Sequence, residues 1–338
     1  MSIVILNWNG SEMMRRFLPS VLESARGKHD VEVCVADNGS TDDSLEMLER
    51  EFPEVRTIRM AENNGFAEGY NLALEQVEAR YVVLLNSDVE VDRHWLEPMV
   101  DYMDAHPEVA ACQPKIRSQR NPELFEYAGA AGGYIDRYGY PFCRGRIFAT
   151  VEADKGQYDT VEPVLWATGA ALFIRLDDYR KAGGLDGRFF AHMEEIDLCW
   201  RLRSRGRILV CIPQSVVYHV GGATLKKENP RKTYLNFRNN LLMLYKNLPD
   251  SELKGVMRVR CLLDWVAMAV FLLKGDADNA KAVRKARRDF HALQPSFADD
   301  RDRIQRMALE WDLPERSKFS LLWQYYAKRR SSYRQLKK

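Results

Sequence analysis

Apolar and polar positions repeat on two periods over the first hundred residues. Short apolar runs at 2–7, 31–36, 55–60, 81–86 and 109–113 have strand length. The stretches between them, 12–25, 42–51, 66–78 and 93–105, have helical length and polarity. Such alternation predicts an α/β fold, a mostly parallel sheet with helices on both faces. Ligands bind such sheets beyond the carboxyl ends of the strands. Three polar clusters fall there: Asn7-Trp8-Asn9-Gly10, Asp37-Asn38-Gly39-Ser40-Thr41 and Asn86-Ser87-Asp88.

Residues 114–165 are rich in Gly, Tyr and Arg without periodicity, which predicts a loop or hairpin region over the sheet. Strand character returns at 170–174, and a helix is predicted from Glu194 to Arg205, stopped by Gly206. Strand-like runs at 208–212 and 216–220 lead to Gly221-Gly222. Beyond 232 the pattern reads helical to the end, with breaks near Pro249, Gly275, Pro295 and Pro314. Its most apolar run, Cys261–Leu273, is interrupted by Asp264 and falls short of the ~20 residues a bilayer span needs. A buried helix and a helix lying in a membrane plane both fit. The first residues enter an apolar strand directly, so no signal peptide is expected.

Charge changes this picture. The 338 residues carry a formal net charge of only +2, but it is split. Residues 1–225 hold 24 basic and 35 acidic side chains; residues 226–338 hold 26 and 13. The acidic front argues against nucleic acid as a partner, and the basic back asks for an anionic one. A hydrophobic content of 46% excludes a disordered chain. Six cysteines without CxxC spacing indicate neither a disulfide framework nor a zinc site, and a reducing cytosol is the simplest compartment.

Four clusters carry candidate chemistry. At the second strand tip, Gly39 permits an unusual turn, and Ser40 or Thr41 can cap the helix near Asp42. Asp37 and Asn38 remain to read the edge of a base. The run Asn63-Asn64-Gly65-Phe66 before a helix is expected to leave backbone N–H groups free for a ligand. It is neither a Walker loop nor a dinucleotide fingerprint, which counts against NTPases and dehydrogenases. Asp88 at a strand end could hold a divalent cation on two phosphates, with His219 as a possible second ligand. Glu194, Glu195 and Asp197 open one helix. The adjacent glutamates repel one another, so one carboxyl can be raised into the range of a general base.

Taken in order, Ile5–Gly10, Asp37–Asp42, Asn63–Ala67, Asn86–Asp88 and Met193–Leu198 followed by Arg201 resemble the family 2 glycosyltransferases with the GT-A fold. The likeness is greatest to the rhamnosyltransferase-like branch of bacterial surface-polysaccharide synthesis, and it spans residues 2–245. It implies a GT-A domain over 1–225, followed by a basic helical extension over 226–338 of a kind that suits a membrane surface. It implies an inverting transferase with a nucleotide-sugar donor, dTDP- or UDP-linked, and an acceptor that is a saccharide, free or linked to polyprenyl diphosphate. On this resemblance Asn7, Asn9, Asp37, Asn38, Asn64, Gly65, Asn86, Ser87 and Arg238 bind the donor. Asp88 and His219 hold Mg²⁺ or Mn²⁺, Glu195 is the base with Glu194 in reserve, and Trp166, Thr168, Gly169 and Asp197 face the acceptor. Arg238-Asn239 matches a pair assigned to the leaving diphosphate.

The chain departs from the family pattern at two places. Asn86 stands where the metal motif has its first acid, and Glu195 where the base is usually Asp. These departures motivate an alternative, an inactive membrane-associated scaffold of the same fold. A sugar-nucleotidyltransferase would need a basic Gly-rich first loop, which Asn7–Glu12 lacks. The expected location is cytoplasmic, peripheral on the inner face of the membrane.

Overall fold

The structure is a computed structural model and describes residues 1–28, 30–221 and 229–336. Gly222 and the terminal Lys337-Lys338, part of the sequence reading, lie outside the described residues. The strands in chain order are β1 (Ser2–Asn7), β2 (Glu32–Asp37), β3 (Arg56–Arg59), β4 (Tyr81–Asn86), β5 (Val89–Val91), β6 (Val109–Ser118), β7 (Gly133–Ile135), β8 (Pro141–Cys143), β9 (Arg146–Ile147), β10 (Thr150–Val151), β11 (Glu162–Pro163), β12 (Ala171–Arg175) and β13 (Ile208–His219). The helices are α1 (Ser11–Ala25), α2 (Ser44–Glu51), α3 (Gly65–Glu75), α4 (Glu97–Ala105), α5 (Leu176–Ala182), α6 (Glu194–Ser204), α7 (Pro230–Asn247), α8 (Asp250–Leu273), α9 (Ala277–Leu293), α10 (Ala298–Met307) and α11 (Tyr333–Leu336).

The main sheet runs β11-β13-β6-β12-β4-β1-β2-β3, with β5 pairing β13. Strands β1 to β4 are parallel; β1, β2 and β4 are buried on both faces, as helical layers demand, while the edge strand β3 buries only Ile58. The sheet is mixed further on, because β12 runs antiparallel to both β4 and β6. The two runs expected at 208–212 and 216–220 are one strand with an irregularity between Ile212 and Val216. Residues 133–151 form a second, four-stranded antiparallel sheet, the hairpin region expected over the first.

The last third departs from the helical expectation after Met307. Residues 308–322 are mostly irregular and run back to the small sheet. There the Leu321 N–H donates to Asp136 at 2.7 Å, and Tyr333 stacks against Tyr134 and Phe142. Phe319, from the irregular stretch, and Tyr325 and Tyr333, from two short helical turns, carry an apolar surface onto the small sheet. Helix α7 packs on α6, and Leu241–Leu244, Phe290 and Phe297 join the same apolar core as the sheet.

Candidate active site

Register sets three strand tips side by side. Asn7 pairs with Asp37 across β1 and β2, and Leu6 pairs with Asn86 across β1 and β4. Asn7 Nδ2 donates to Asp37 Oδ1 at 3.0 Å and to Ser40 Oγ at 3.1 Å, while the Ser40 N–H donates to Asp37 Oδ2 at 3.0 Å. Asp37 is buried, yet each carboxylate oxygen keeps a further lone pair for a ligand. The cap expected from Ser40 or Thr41 comes from elsewhere. The Ser40 hydroxyl is occupied by Asn7 and by the Asn9 N–H. Instead Asn9 Oδ1 accepts from the N–H groups of Thr41 and Asp42, and Asp42 accepts from Ser44 and Ser11. Gly39 has φ of 72°, as its turn requires.

The entry to α3 corrects the expectation of free N–H groups at residues 63–67. Asn64 N–H donates to Asn38 Oδ1 at 3.0 Å, and Gly65 N–H to Asn63 Oδ1 at 2.8 Å. The N–H groups of Phe66 and Ala67 both reach the Phe190 carbonyl, at 2.6 and 3.2 Å. Asn38 Nδ2 completes the joint by donating to the Gly65 carbonyl at 2.9 Å. Gly65 has φ of 79°, and a Cβ there would lie 2.5 Å from the Phe190 ring. Its glycine requirement comes from another loop of the same protein.

Beyond β4, Asp88 is nearly buried, and the antiparallel pairing of β13 with β5 brings His219 to it. His219 Nε2 lies 3.1 Å from Asp88 Oδ1 and 3.4 Å from the Asn86 amide. On the other side of the ring, Nδ1 lies 3.2 Å from Glu126 Oε2. Burial would lower the His219 pKa, but the two carboxylates outweigh it and raise it to about 10. Asp88 is lowered by His219 in spite of its burial. Glu126 comes from the aperiodic 114–165 region, where no spacing in the sequence points to it. Among the described residues no three His, Cys, Asp or Glu side chains converge on one point. Asp88 offers a carboxylate, and His219 becomes a ligand only on losing the proton that the two carboxylates hold on it; with that proton lost the pair suits a hard divalent cation sharing its shell with phosphate oxygens. Glu126 faces Nδ1 at ion-pair distance without a formed hydrogen bond.

Glu194 and Glu195 follow a strained loop. Phe190, His192 and Met193 have φ of 66°, 71° and 74°, although none is glycine. Each such residue costs on the order of 1–3 kcal/mol and persists only where its surroundings over-determine it. Here Asn239 Nδ2, from α7, lies 2.8–2.9 Å from the carbonyls of Phe189, Ala191 and His192. Arg238 donates to the carbonyls of Arg188 and Phe189 at 3.1 and 3.0 Å, and to Asn239 Oδ1 at 2.8 Å. The pair read as a diphosphate contact thus spends these donors on holding the loop, since α7 runs directly behind it.

The two glutamates stand at the N-terminus of α6, where the dipole favours carboxylate. Burial wins over it. Burial raises Glu195 to about 7, and burial together with the neighbouring Glu195 charge raises Glu194 well above its ordinary value. Oε2 of each has no hydrogen-bond partner among the described residues. Glu194 is buried, and Glu195 is partly exposed. A Cβ added at Gly169 would lie 3.2 Å from the Phe66 ring and 3.8 Å from the Glu195 Cβ, so this buried glycine lets the Phe66 ring pack close beside Glu195.

Three residues expected to face an acceptor are interior instead. Asp197 is fully buried and accepts from Arg201 at 2.9 Å, Lys246 at 2.7 Å and Asn247 at 2.8 Å, which ties α6 to α7. The Trp166 indole donates to the Tyr134 carbonyl at 3.0 Å. Thr168 accepts no solvent role either: its N–H donates to Gln113 and its hydroxyl to the Ala128 carbonyl. On the far side of Phe190, a cavity of about 700 Å³ opens between α7 and α9, lined among others by Arg231, Tyr234, Arg238, Lys281 and Lys285.

Residues 2–154 match the family model described as glycosyl transferase family 2. The chain is similar to the N-acetylglucosaminyl-diphospho-decaprenol L-rhamnosyltransferase of Mycobacterium tuberculosis, with 26% identity over 231 residues, covering 64% of this chain and 75% of that protein. Among solved structures it is similar to S. aureus TarS 1–349 in complex with UDP-GlcNAc, with a TM-score of 0.57 and 14% identity over 90% of each chain. GalNAc-T7 with UDP, GalNAc and Mn²⁺ superposes with a TM-score of 0.58 and 17% identity, over 74% of this chain and 48% of its own. At these identities the structural likeness carries the fold alone, and that fold is GT-A.

Proposed function

We propose a specific reaction for this chain, which over residues 2–154 matches glycosyl transferase family 2: transfer from a dTDP- or UDP-activated donor to a hydroxyl of a lipid-linked saccharide, with inversion at the anomeric carbon. One observation carries the reading. Glu195 is a partly exposed residue whose carboxyl is raised to about 7 by burial, and its buried Oε2 has no hydrogen-bond partner among the described residues. A group that is half ionised near neutrality is suited to taking a proton.

The donor is assigned to the tips of β1, β2 and β4. Asp37, held by Asn7 and Ser40, offers its remaining lone pairs to the base. Asn9, Asn38 and Asn64 shape the nucleoside wall through their bonds to the turns, and Asn86 and Ser87 stand beside the diphosphate. Asp88 and His219, with Glu126 facing the ring, would hold Mg²⁺ or Mn²⁺, which supplies charge neutralisation at the departing diphosphate. Glu195 removes the proton of the acceptor hydroxyl as its oxygen bonds to the anomeric carbon. The bond from that carbon to the diphosphate breaks on the opposite face, and its electron pair leaves with the nucleotide. One displacement of this kind inverts the centre, and the leaving diphosphate needs no proton. The lipid-linked acceptor is supported by the named substrate of the mycobacterial relative, and it would bring the enzyme to the cytoplasmic face of a membrane.

The test is a panel of dTDP-, UDP- and GDP-sugars with Mn²⁺ and a polyprenyl-diphosphate-linked N-acetylglucosamine acceptor. A glycosidic product of inverted configuration from one donor is expected. Nucleotide binding without transfer to this or any saccharide acceptor would contradict the reading.

A further inference from the structure

Helix α8 is inside out. Its interior-facing turns carry charge: Arg260 and Asp264 are both buried. Arg260 donates to the Tyr138 carbonyl at 2.9 Å and to Asn240 Oδ1, and pairs with Asp264 at 3.3 Å. Arg287 of α9 reaches the other Asp264 oxygen at 2.6 Å. The residue that interrupts the apolar run in sequence is therefore turned inward, and the outward face is unbroken. Leu262, Trp265, Val266, Ala269 and Leu273 follow at helical spacing along it, and the first three are 64%, 51% and 52% exposed, with Leu273 at 88%. Two turns before Leu262 the same face is open at Gly255, where an added Cβ would touch nothing within 4 Å.

An ordinary surface helix shows the reverse polarity, so this face is built for an apolar partner. Its flanks say which. Arg258 and Lys254 stand one and two turns before Leu262 on the same side of the helix, and Lys274 follows Leu273; all three are exposed. Exposed Arg284 and Arg288 of the neighbouring α9 add to them, in a half of the chain with 26 basic and 13 acidic side chains. An apolar strip edged by cations complements a bilayer surface with anionic headgroups. A second copy of the chain would set these cations against themselves. No described helix is long and apolar enough to cross a membrane, so the helix would lie in the plane, with the Trp265 ring at the headgroup boundary.

We infer that α8 is an in-plane membrane anchor that docks the enzyme on an anionic bilayer through Leu262, Trp265, Val266 and Leu273. The inference rests on the proposed lipid-linked acceptor for its purpose, but binding is read without any sugar chemistry, so either can fail alone. The experiment is co-sedimentation of the full chain with vesicles of phosphatidylglycerol mixed with phosphatidylcholine, and of phosphatidylcholine alone. Wild type is expected to sediment with the mixed vesicles and several-fold less with the neutral ones. L262S/V266S should lower the partition by at least about tenfold. K254S/R258S should lower it by about fivefold per charge, on anionic vesicles only. Because all four side chains point outward, melting temperature and UDP binding report that the variants remain folded. Unchanged sedimentation of L262S/V266S would overturn the inference. So would a dimer in light scattering that L262S/V266S dissociates, with no vesicle binding by wild type.

Discussion

The strand tips and the loop before α6 meet at the start of α3 and are built on different rules. At the tips, side chains bond one another: Asn7, Asp37 and Ser40 interlock, Asn9 and Asp42 hold two helix starts, and Asp88, His219 and Glu126 stand in line, with Asn7 Oδ1 and His219 Nδ1 left without a hydrogen bond among the described residues. The loop at 190–193 is held by bonds to its carbonyls from outside, in three left-handed residues, and delivers two carboxyls whose Oε2 atoms find no partner among the described residues. The contrast separates two tasks. A donor site gains from being rigid before the ligand arrives. A general base must keep an oxygen free and a pKa near neutrality, and the fold tolerates the strain because Asn239, Arg238 and the α3 N–H groups fix the loop from three sides.

The largest effect should come from removing the free carboxyl. Glu195→Gln is expected to slow transfer by about 10²–10⁴-fold while nucleotide-sugar binding, read by titration calorimetry, is retained. Its effect on stability has the opposite sign from that of a paired acid. A folded pKa raised from 4.5 to about 7 means the folded state holds the proton longer than the unfolded one. Stability is then lost as pH rises between those values. The Gln variant should therefore melt at or above wild type at pH 8, and a lower melting temperature would argue that Glu195 is a structural residue.

Next in size is the line of side chains at the tips. Glu126→Gln should weaken Mn²⁺ binding, measured by titration in the presence of UDP, by about 10–100-fold, and leave UDP binding without metal unchanged. Equal Mn²⁺ affinity would separate Glu126 from the cation. A smaller change is expected at the clamp. Asn239→Ala removes bonds to three carbonyls and should cost about 1–3 kcal/mol of stability. It should lower kcat more than it raises KM for the donor, because it releases the loop and not the tips. A pure KM effect would mean that the pair serves the diphosphate after all.

Sequence reading succeeded where chemistry coincides with period. The runs ending at Asn7, Asp37 and Asn86 place their polar tips by strand length alone, and Glu194 to Asp197 announce a helix start. It failed where a residue's partner arrives from afar. Gly65 resembles a ligand-binding glycine, yet what approaches it is Phe190. Asp197 lies two positions along the helix from the partly exposed Glu195, but helical rotation turns it towards Lys246 and Asn247. Asp264 looked like a break in an apolar run because a sequence does not say which face of α8 is covered. Glu126 had no periodic setting at all.

The account's central claim is that Glu195 is the group whose ionisation limits transfer, and the pH dependence of single-turnover transfer at saturating donor and acceptor tests it most directly. Wild type should gain activity as pH rises and level off above an inflection near 7, following the raised carboxyl. Glu195→Gln should show a low rate without that inflection. An inflection of unchanged position and amplitude in Glu195→Gln would assign the titrating group elsewhere and contradict the claim.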